Sequence, residues 1–167
     1  MKSSRIPPAL LVILYLCFLG FWAWSGPELP DRVATHFNAS GEANGWMSRS
    51  ANQVFMLVFG LTFPLLVVLL CFATRFLPAN AVNIPHRDYW LAPERRQQTS
   101  AYLVHHSFWF ACLAVGFVSG IQYSIVQANQ QIPPHLSTSI LVALVGCFIV
   151  GTAIWVMALF RQFRQVH

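Results

Sequence analysis

The sequence predicts an all-α integral membrane protein with four transmembrane helices, both termini inside, and a folded extracytoplasmic loop between helices 1 and 2. Hydrophobic residues make up 56% of the 167 residues and charged residues 9%, whereas a soluble domain carries about 25% charge. Four apolar stretches can cross about 30 Å of hydrocarbon at 1.5 Å per residue. These spans lie at residues 6–24, 53–76, 101–123 and 137–160, within a single membrane domain of residues 1–167.

The first two spans carry their own boundary signals. The first follows Lys2 and Arg5, as a signal peptide would, but its apolar run exceeds the usual 7–15 residues, which favours a retained transmembrane helix. Gly26, Pro27 and Pro30 should end it. In the second span, Pro64 predicts a kink within the membrane because proline lacks the backbone donor.

The third and fourth spans follow proline-containing loops. Pro93 and Glu94 suit the first turn of a helix, so helix 3 should begin in the loop of residues 77–100 and enter the membrane after Thr99. The fourth span follows the Pro133-Pro134 pair.

The distribution of lysine and arginine predicts the orientation. Basic residues concentrate at both ends of the chain and in the loop of residues 77–100, whereas the loop of residues 25–52 has two arginines against three acidic residues. By the positive-inside rule, the termini and the 77–100 loop face the cytoplasm and the 25–52 loop faces outward. This pattern accounts for the net charge of +5, so no nucleic-acid partner is predicted.

The cysteines predict no disulfide and no metal site. Cys17, Cys71, Cys112 and Cys147 fall one in each span, without a C-x-x-C pair. We expect small packing residues, and neither a metal nor a cofactor is predicted.

The outer loop holds the best candidates for recognition. Its binding candidates are His36, Asn38, Glu42, Asn44, Trp46 and Arg49. An imidazole and a carboxylate can bind metal or act as base and acid, but two ligands are too few for a closed site. The alternative is a folded loop in which His36 and Asn38 satisfy backbone groups and Glu42 pairs with Arg32 or Arg49.

The third span holds two histidines and a pair of glycines. His105 and His106 are functional candidates because ionisable groups are rare inside a membrane, with burial against a neighbouring carbonyl as the alternative. His105 shares a helix face with Cys112 and should point into the bundle, and His106 should be rotated away. Gly116 and Gly120 predict close helix packing, either within the chain or in a homo-oligomer.

The cytoplasmic loop is the second polar region. Its candidate docking residues are Arg87, Asp88, Tyr89, Trp90 and Glu94. Arg87 and Asp88 could pair, while Arg95 and Arg96 could meet anionic headgroups. The loop is therefore either lipid-anchored or a surface for a cytoplasmic partner.

The motif LPDRVxxHFNxxGExxGWxSR at residues 29–49 resembles the signature of bacterial membrane family of unknown function 1648, found in SdpI-like immunity and signalling proteins. The cytoplasmic run at residues 83–94 resembles a stretch of stand-alone members. The resemblance implies a multi-pass protein of the bacterial inner membrane, with immunity to a secreted peptide or capture of a repressor among the family's roles.

These observations favour a non-enzymatic sensor, immunity-like or accessory protein whose outer loop recognises a peptide, lipid or protein partner. Two alternatives remain open: a membrane enzyme or metal-binding protein that uses His36 and Glu42, and a structural subunit of a larger complex. The partners expected are the lipid bilayer and a membrane protein or peptide.

Overall fold

A computed structural model describes residues 5–164, so the Lys2 of the charge argument lies outside the described residues. Within that range the chain forms five α-helices and one β-hairpin. The helices are α1 Ile6–Ser25, α2 Arg49–Ala73, α3 Arg87–Trp90, α4 Pro93–Asn129 and α5 Thr138–Arg164. The strands are β1 Arg32–Phe37 and β2 Ala43–Ser48, and a 3-10 turn spans Ala79–Ala81.

Four of the described helices, α1, α2, α4 and α5, are long and apolar enough to cross a membrane, which confirms the predicted number. Their bounds differ from the prediction where polar residues continue a helix beyond the apolar run. Helix α2 begins at Arg49, because the Ser48 side chain accepts a hydrogen bond from the Ala51 N–H and caps its first turn. Helix α4 begins at Pro93 as predicted and ends at Asn129.

The prediction of an all-α chain is wrong in the segment between α1 and α2. Strands β1 and β2 pair there as an antiparallel hairpin. We call residues 32–48 the hairpin cap. The other end of the helices carries Arg75, Arg87, Arg95, Arg96, Arg161 and Arg164, and we call it the arginine-rich end.

Helix α4 is the centre of the bundle and packs against α1, α2 and α5. Fifteen of its 37 residues are buried, whereas one residue of α5 is. Side chains from α1, α2 and α4 form the main core, with Phe18, Met56 and Val118 at 1% exposure or less. The apolar residues on the outer faces of α1, α2 and α5 are exposed, as lipid-facing surfaces require.

Helices α1 and α2 meet at a glycine. A Cβ atom at Gly60 would lie 2.2 Å from Cζ of Phe18, so the absence of a side chain makes room for this ring. One turn further along, α2 continues through Pro64, which removes the donor for the Gly60 carbonyl. The Tyr15 hydroxyl donates to the next carbonyl, that of Leu61, at 3.0 Å and links the two helices where the ladder is interrupted.

The two glycines predicted as a packing seam have different surroundings. At Gly120 a Cβ would lie 2.5 Å from Cδ1 of Leu144, so this glycine packs within the chain against α5. Gly151 of α5 makes the reciprocal contact with Leu113 of α4. Gly116 is exposed, with no atom within 4 Å of an added Cβ among the described residues.

The cysteines are all free, as the sequence predicts. Cys112 is buried and its thiol lies 3.6 Å from the Pro7 carbonyl, which fits a packing role. Cys17 and Cys147 are exposed on α1 and α5, so they do not pack in the core.

Candidate functional site: the hairpin cap

The turn of the hairpin cap is built around Asn38. Its carboxamide oxygen accepts the N–H groups of Ser40 at 3.0 Å and Glu42 at 2.9 Å. Its amide nitrogen donates to the Glu42 carboxylate at 2.8 Å. Gly41 has a φ of +87°, a conformation that favours glycine, and closes the turn. The prediction that Asn38 satisfies backbone groups is therefore confirmed.

Asn129, the last residue of α4, fastens the cap to the bundle. Its side-chain oxygen accepts the Ala34 N–H at 2.8 Å, and its side-chain nitrogen donates to the Ala34 carbonyl at 2.9 Å. The same nitrogen donates to the Ile125 carbonyl at 2.9 Å, which fixes the carboxamide orientation. Ala34 is fully buried, so these bonds satisfy a peptide edge that water does not reach.

The loop between α4 and α5 fastens the cap at a second point. The Leu136 N–H donates to the Gly41 carbonyl at 2.8 Å, and His135 forms an isolated antiparallel bridge with Glu42. A Cβ at Gly41 would lie 2.4 Å from the Leu136 carbonyl oxygen. His135, three residues before the start of α5, thus pairs with the hairpin.

The exposed surface of the cap combines aromatic and charged groups. The Arg32 guanidinium lies 5.0 Å from the centroid of the Trp46 ring, a cation–π distance, and Trp46 is 43% exposed. His36, Glu42 and Asn44 are also exposed.

The expected pairing of Glu42 with an arginine is wrong. Arg49 forms its ion pair with Asp31 at 3.0 Å, and its backbone N–H donates to the Asp31 carbonyl. Arg32 turns to the Trp46 ring, and Glu42 is held by Asn38. Turn geometry decides the outcome, since Asn38 lies four residues from Glu42 and directly across the hairpin turn.

Within residues 5–164, no three side chains among histidine, cysteine, aspartate and glutamate come together as metal ligands. His36 instead packs beside Gly45, where an added Cβ would lie 2.8 Å from the His36 Cβ. The cap is therefore a surface of single exposed groups on a fixed backbone.

A buried polar layer lies under the cap and was not predicted. Gln122, which is fully buried, donates from its amide nitrogen to the Ser25 hydroxyl at 3.0 Å. Trp22 donates from its indole to the Gln53 carbonyl at 3.0 Å, and Asn52 is 1% exposed. The two hydrogen-bonded pairs join residues that are 31 and 97 positions apart in sequence, so no local sequence motif predicts them.

Comparison with known families is informative for this part of the chain. Residues 11–62 match DUF1648, a domain of unknown function. The matched segment covers most of α1, the whole hairpin cap and the first half of α2. No curated protein and no solved structure matches the chain.

Asn129 lies outside the DUF1648 segment, as do the predicted docking residues at the arginine-rich end. Trp90 is partly buried and donates from its indole to the Phe163 carbonyl at 3.0 Å, so it joins α3 to α5. Arg95 lies 3.8 Å from the Tyr89 ring centroid. Arg87 and Asp88 approach to 3.6 Å. Glu94 is exposed in the first turn of α4.

The histidine pair also lies beyond the DUF1648 segment. His106 was expected to be rotated away from the bundle, but it packs on α5 because α4 is covered on more than one side. Its Nε2 donates to the Trp155 carbonyl at 3.0 Å, and the Trp155 indole donates to the His106 carbonyl at 2.9 Å. Since a carbonyl only accepts, Nε2 carries the proton. His105 is half-buried.

We expect His106→Phe to lower the free energy of unfolding by about 1 kcal/mol, the scale of interhelical hydrogen bonds in membranes, because it removes the donor to the Trp155 carbonyl. Unfolding with SDS in mixed micelles measures this loss. Tyr123→Phe is the control and should change stability less, because Tyr123 is an exposed residue near the other end of α4. Equal effects of the two substitutions would contradict the assignment.

Proposed function

We propose that this protein is a non-enzymatic, SdpI-like sensor, immunity or accessory protein of a bacterial inner membrane. In this proposal the hairpin cap faces outward and recognises an extended peptide, either free or as part of a partner protein. The arginine-rich end and both termini face the cytoplasm. The arginine asymmetry between the two ends supports this orientation.

The observation that carries the proposal is the free outer edge of β2. Ala34 and Trp46 lie directly opposite each other in the hairpin. Both backbone groups of Ala34 bond to Asn129, on the side away from β2, so the pair is of the non-hydrogen-bonded type. The N–H and C=O of Trp46 therefore also point away from the hairpin, at the opposite edge.

This edge is suited to an added strand. Near the turn, before β2 begins, Glu42 bridges to His135. The remaining edge at Trp46 offers main-chain groups beside an exposed indole and a guanidinium. Strand addition uses such an edge, with main-chain bonds for affinity and side-chain contacts for selectivity.

Because the cap is attached to α4, ligand binding at the cap can affect the rest of the protein. Asn129 ends the helix that begins at Pro93, at the arginine-rich end. This helix contacts α1, α2 and α5. A ligand that moves β1 would act directly on the end of α4, as a sensor or accessory subunit requires.

We expect a photo-reactive amino acid at Asn44 to form a discrete ultraviolet-dependent adduct with a peptide or protein in living cells. Asn44 is exposed on β2, two residues from Trp46. Mass spectrometry of the adduct would identify the partner segment. Trp46→Ala in the same chain should lower the adduct yield at least several-fold, because the aromatic contact is lost.

The matched control places the photo-reactive group at Val145, which is also exposed but lies on α5. It should give lipid adducts alone. If position 44 gives the same products as position 145, or if Trp46→Ala leaves the Asn44 adduct unchanged, the cap does not recognise a peptide.

A further inference from the structure

A cavity opens at the arginine-rich end between the end of α2 and the first turns of α4. Its volume is about 450 Å³. The lining residues are Arg75, Pro93, Arg96, Gln97, Ser100 and Ala101. The lining thus carries two guanidinium groups and no carboxylate among the described residues.

The cavity wall is held in place by hydrogen bonds. Arg96 donates from Nη2 to the Thr74 carbonyl at 3.4 Å and to the Leu77 carbonyl, beyond the end of α2. Ser100 is 2% exposed, and its hydroxyl lies 3.1 Å from the Thr74 hydroxyl. Both carbonyl bonds use Nη2, so Arg96 keeps donors on Nε and Nη1 for a ligand.

The positive charge of the cavity is not neutralised within the described part of the chain. The two ion pairs found there, Arg49–Asp31 and Arg87–Asp88, include neither Arg75 nor Arg96. Two unpaired guanidinium groups favour a phosphate, which accepts their donors in a planar, bidentate arrangement.

The surroundings of the cavity distinguish a lipid from a free anion. The Arg75 guanidinium lies 4.8 Å from the Phe72 ring centroid. Phe72 is 42% exposed, Leu77 is 39% exposed and Phe76 is 77% exposed. The charged cavity therefore adjoins an apolar surface at the end of a candidate membrane span, where a headgroup and its acyl chains are found together.

We propose that this cavity binds the phosphodiester of an anionic phospholipid, with Arg75 and Arg96 as the phosphate ligands and Phe72 and Phe76 against the acyl chains. The site lies at the opposite end from the hairpin cap and does not depend on the proposed function of the cap.

Native mass spectrometry of the full chain in mild detergent tests the proposal. Dioleoyl phosphatidylglycerol and dioleoyl phosphatidylcholine are added at equal concentration. We expect a one-to-one phosphatidylglycerol complex in several-fold excess over the phosphatidylcholine complex. Arg75→Gln should lower phosphatidylglycerol affinity about five-fold, which is the effect of one basic residue near an anionic lipid. Since Arg75 is exposed, its substitution should leave the fold intact.

Arg87→Gln is the matched control, since Arg87 lies at the same end but outside the cavity. It should leave the phosphatidylglycerol complex unchanged. Arg96→Lys keeps the charge and should retain more binding than Arg96→Gln. Equal binding of the two lipids, or equal effects of Arg75→Gln and Arg87→Gln, would overturn the site. Competition by millimolar inorganic phosphate as strong as by phosphatidylglycerol would overturn the lipid assignment.

Discussion

Replacing Asn129 by leucine is expected to release the hairpin cap from α4 and to lower the free energy of unfolding by about 3 kcal/mol. The substitution removes both partners of the fully buried Ala34 peptide edge. Each buried backbone group left without a partner costs about 1–3 kcal/mol. Unfolding with SDS in mixed micelles gives the stability. Hydrogen exchange over residues 32–48 reports the cap directly, and its exchange should accelerate more than that of α2.

Two companion variants separate the loss of the Asn129–Ala34 hydrogen bonds from the general effect of an asparagine-to-leucine substitution. Asn44→Leu makes the same chemical change at an exposed position of the cap and should cost less than about 0.5 kcal/mol. Asn129→Asp keeps the acceptor for the Ala34 N–H but loses the donor to the Ala34 carbonyl, so it should fall between wild type and Asn129→Leu. Unchanged exchange in the cap of Asn129→Leu would show that other contacts hold it.

Replacing Gly60 by valine is expected to force α1 and α2 apart where Gly60 faces Phe18. A Cβ at this position would lie 2.2 Å from Cζ and 2.6 Å from Cε1 of Phe18, a ring that is 1% exposed. The ring has no free space to enter, so the helices must separate. Overpacking of this kind costs about 1–3 kcal/mol, and the three added carbon atoms of valine place the loss at about 3 kcal/mol.

The control for this substitution is Gly20→Val in α1, where no described atom lies within 4 Å of an added Cβ. It should leave stability almost unchanged. The double variant Gly60→Val with Phe18→Val should recover part of the loss, since the shorter side chain leaves the added methyl groups room. If the Gly60 and Gly20 variants unfold alike, the Phe18 contact does not determine helix packing.

The number and placement of the four long helices could be predicted because hydropathy and length are local properties. The start of α2 at Arg49 was missed because its first turn is polar, although serine, the residue type at position 48, commonly caps a helix N-terminus. The hairpin was missed because Gly41, Gly45 and the nearby asparagines predict turns without saying which residues pair. The bulge between Ala34 and His36 also interrupts the alternation that would mark β1.

Exposure of the candidate binding residues could be predicted, because a short polar loop offers little to bury them. His36, Glu42, Asn44 and Trp46 are all exposed, and their role in binding stays a prediction. Asn129 could not be found, because it lies 95 residues from Ala34 and bonds to backbone atoms that leave no trace in sequence. His106 was misplaced because helical periodicity gives angles between residues but not the number of neighbours around α4.

The hydrogen bonds between Asn129 and Ala34 also bear on how the cap could evolve. Its carboxamide bonds to the N–H and C=O of position 34, which every residue except proline provides. Attachment is thus indifferent to the side chains displayed at His36, Asn44 and Trp46. Substitutions at these positions can be selected for a new ligand while the cap stays joined to α4. The residue that attaches the cap is thus separate from the residues that a ligand would contact, so related chains can diversify in binding without changes to the helical bundle.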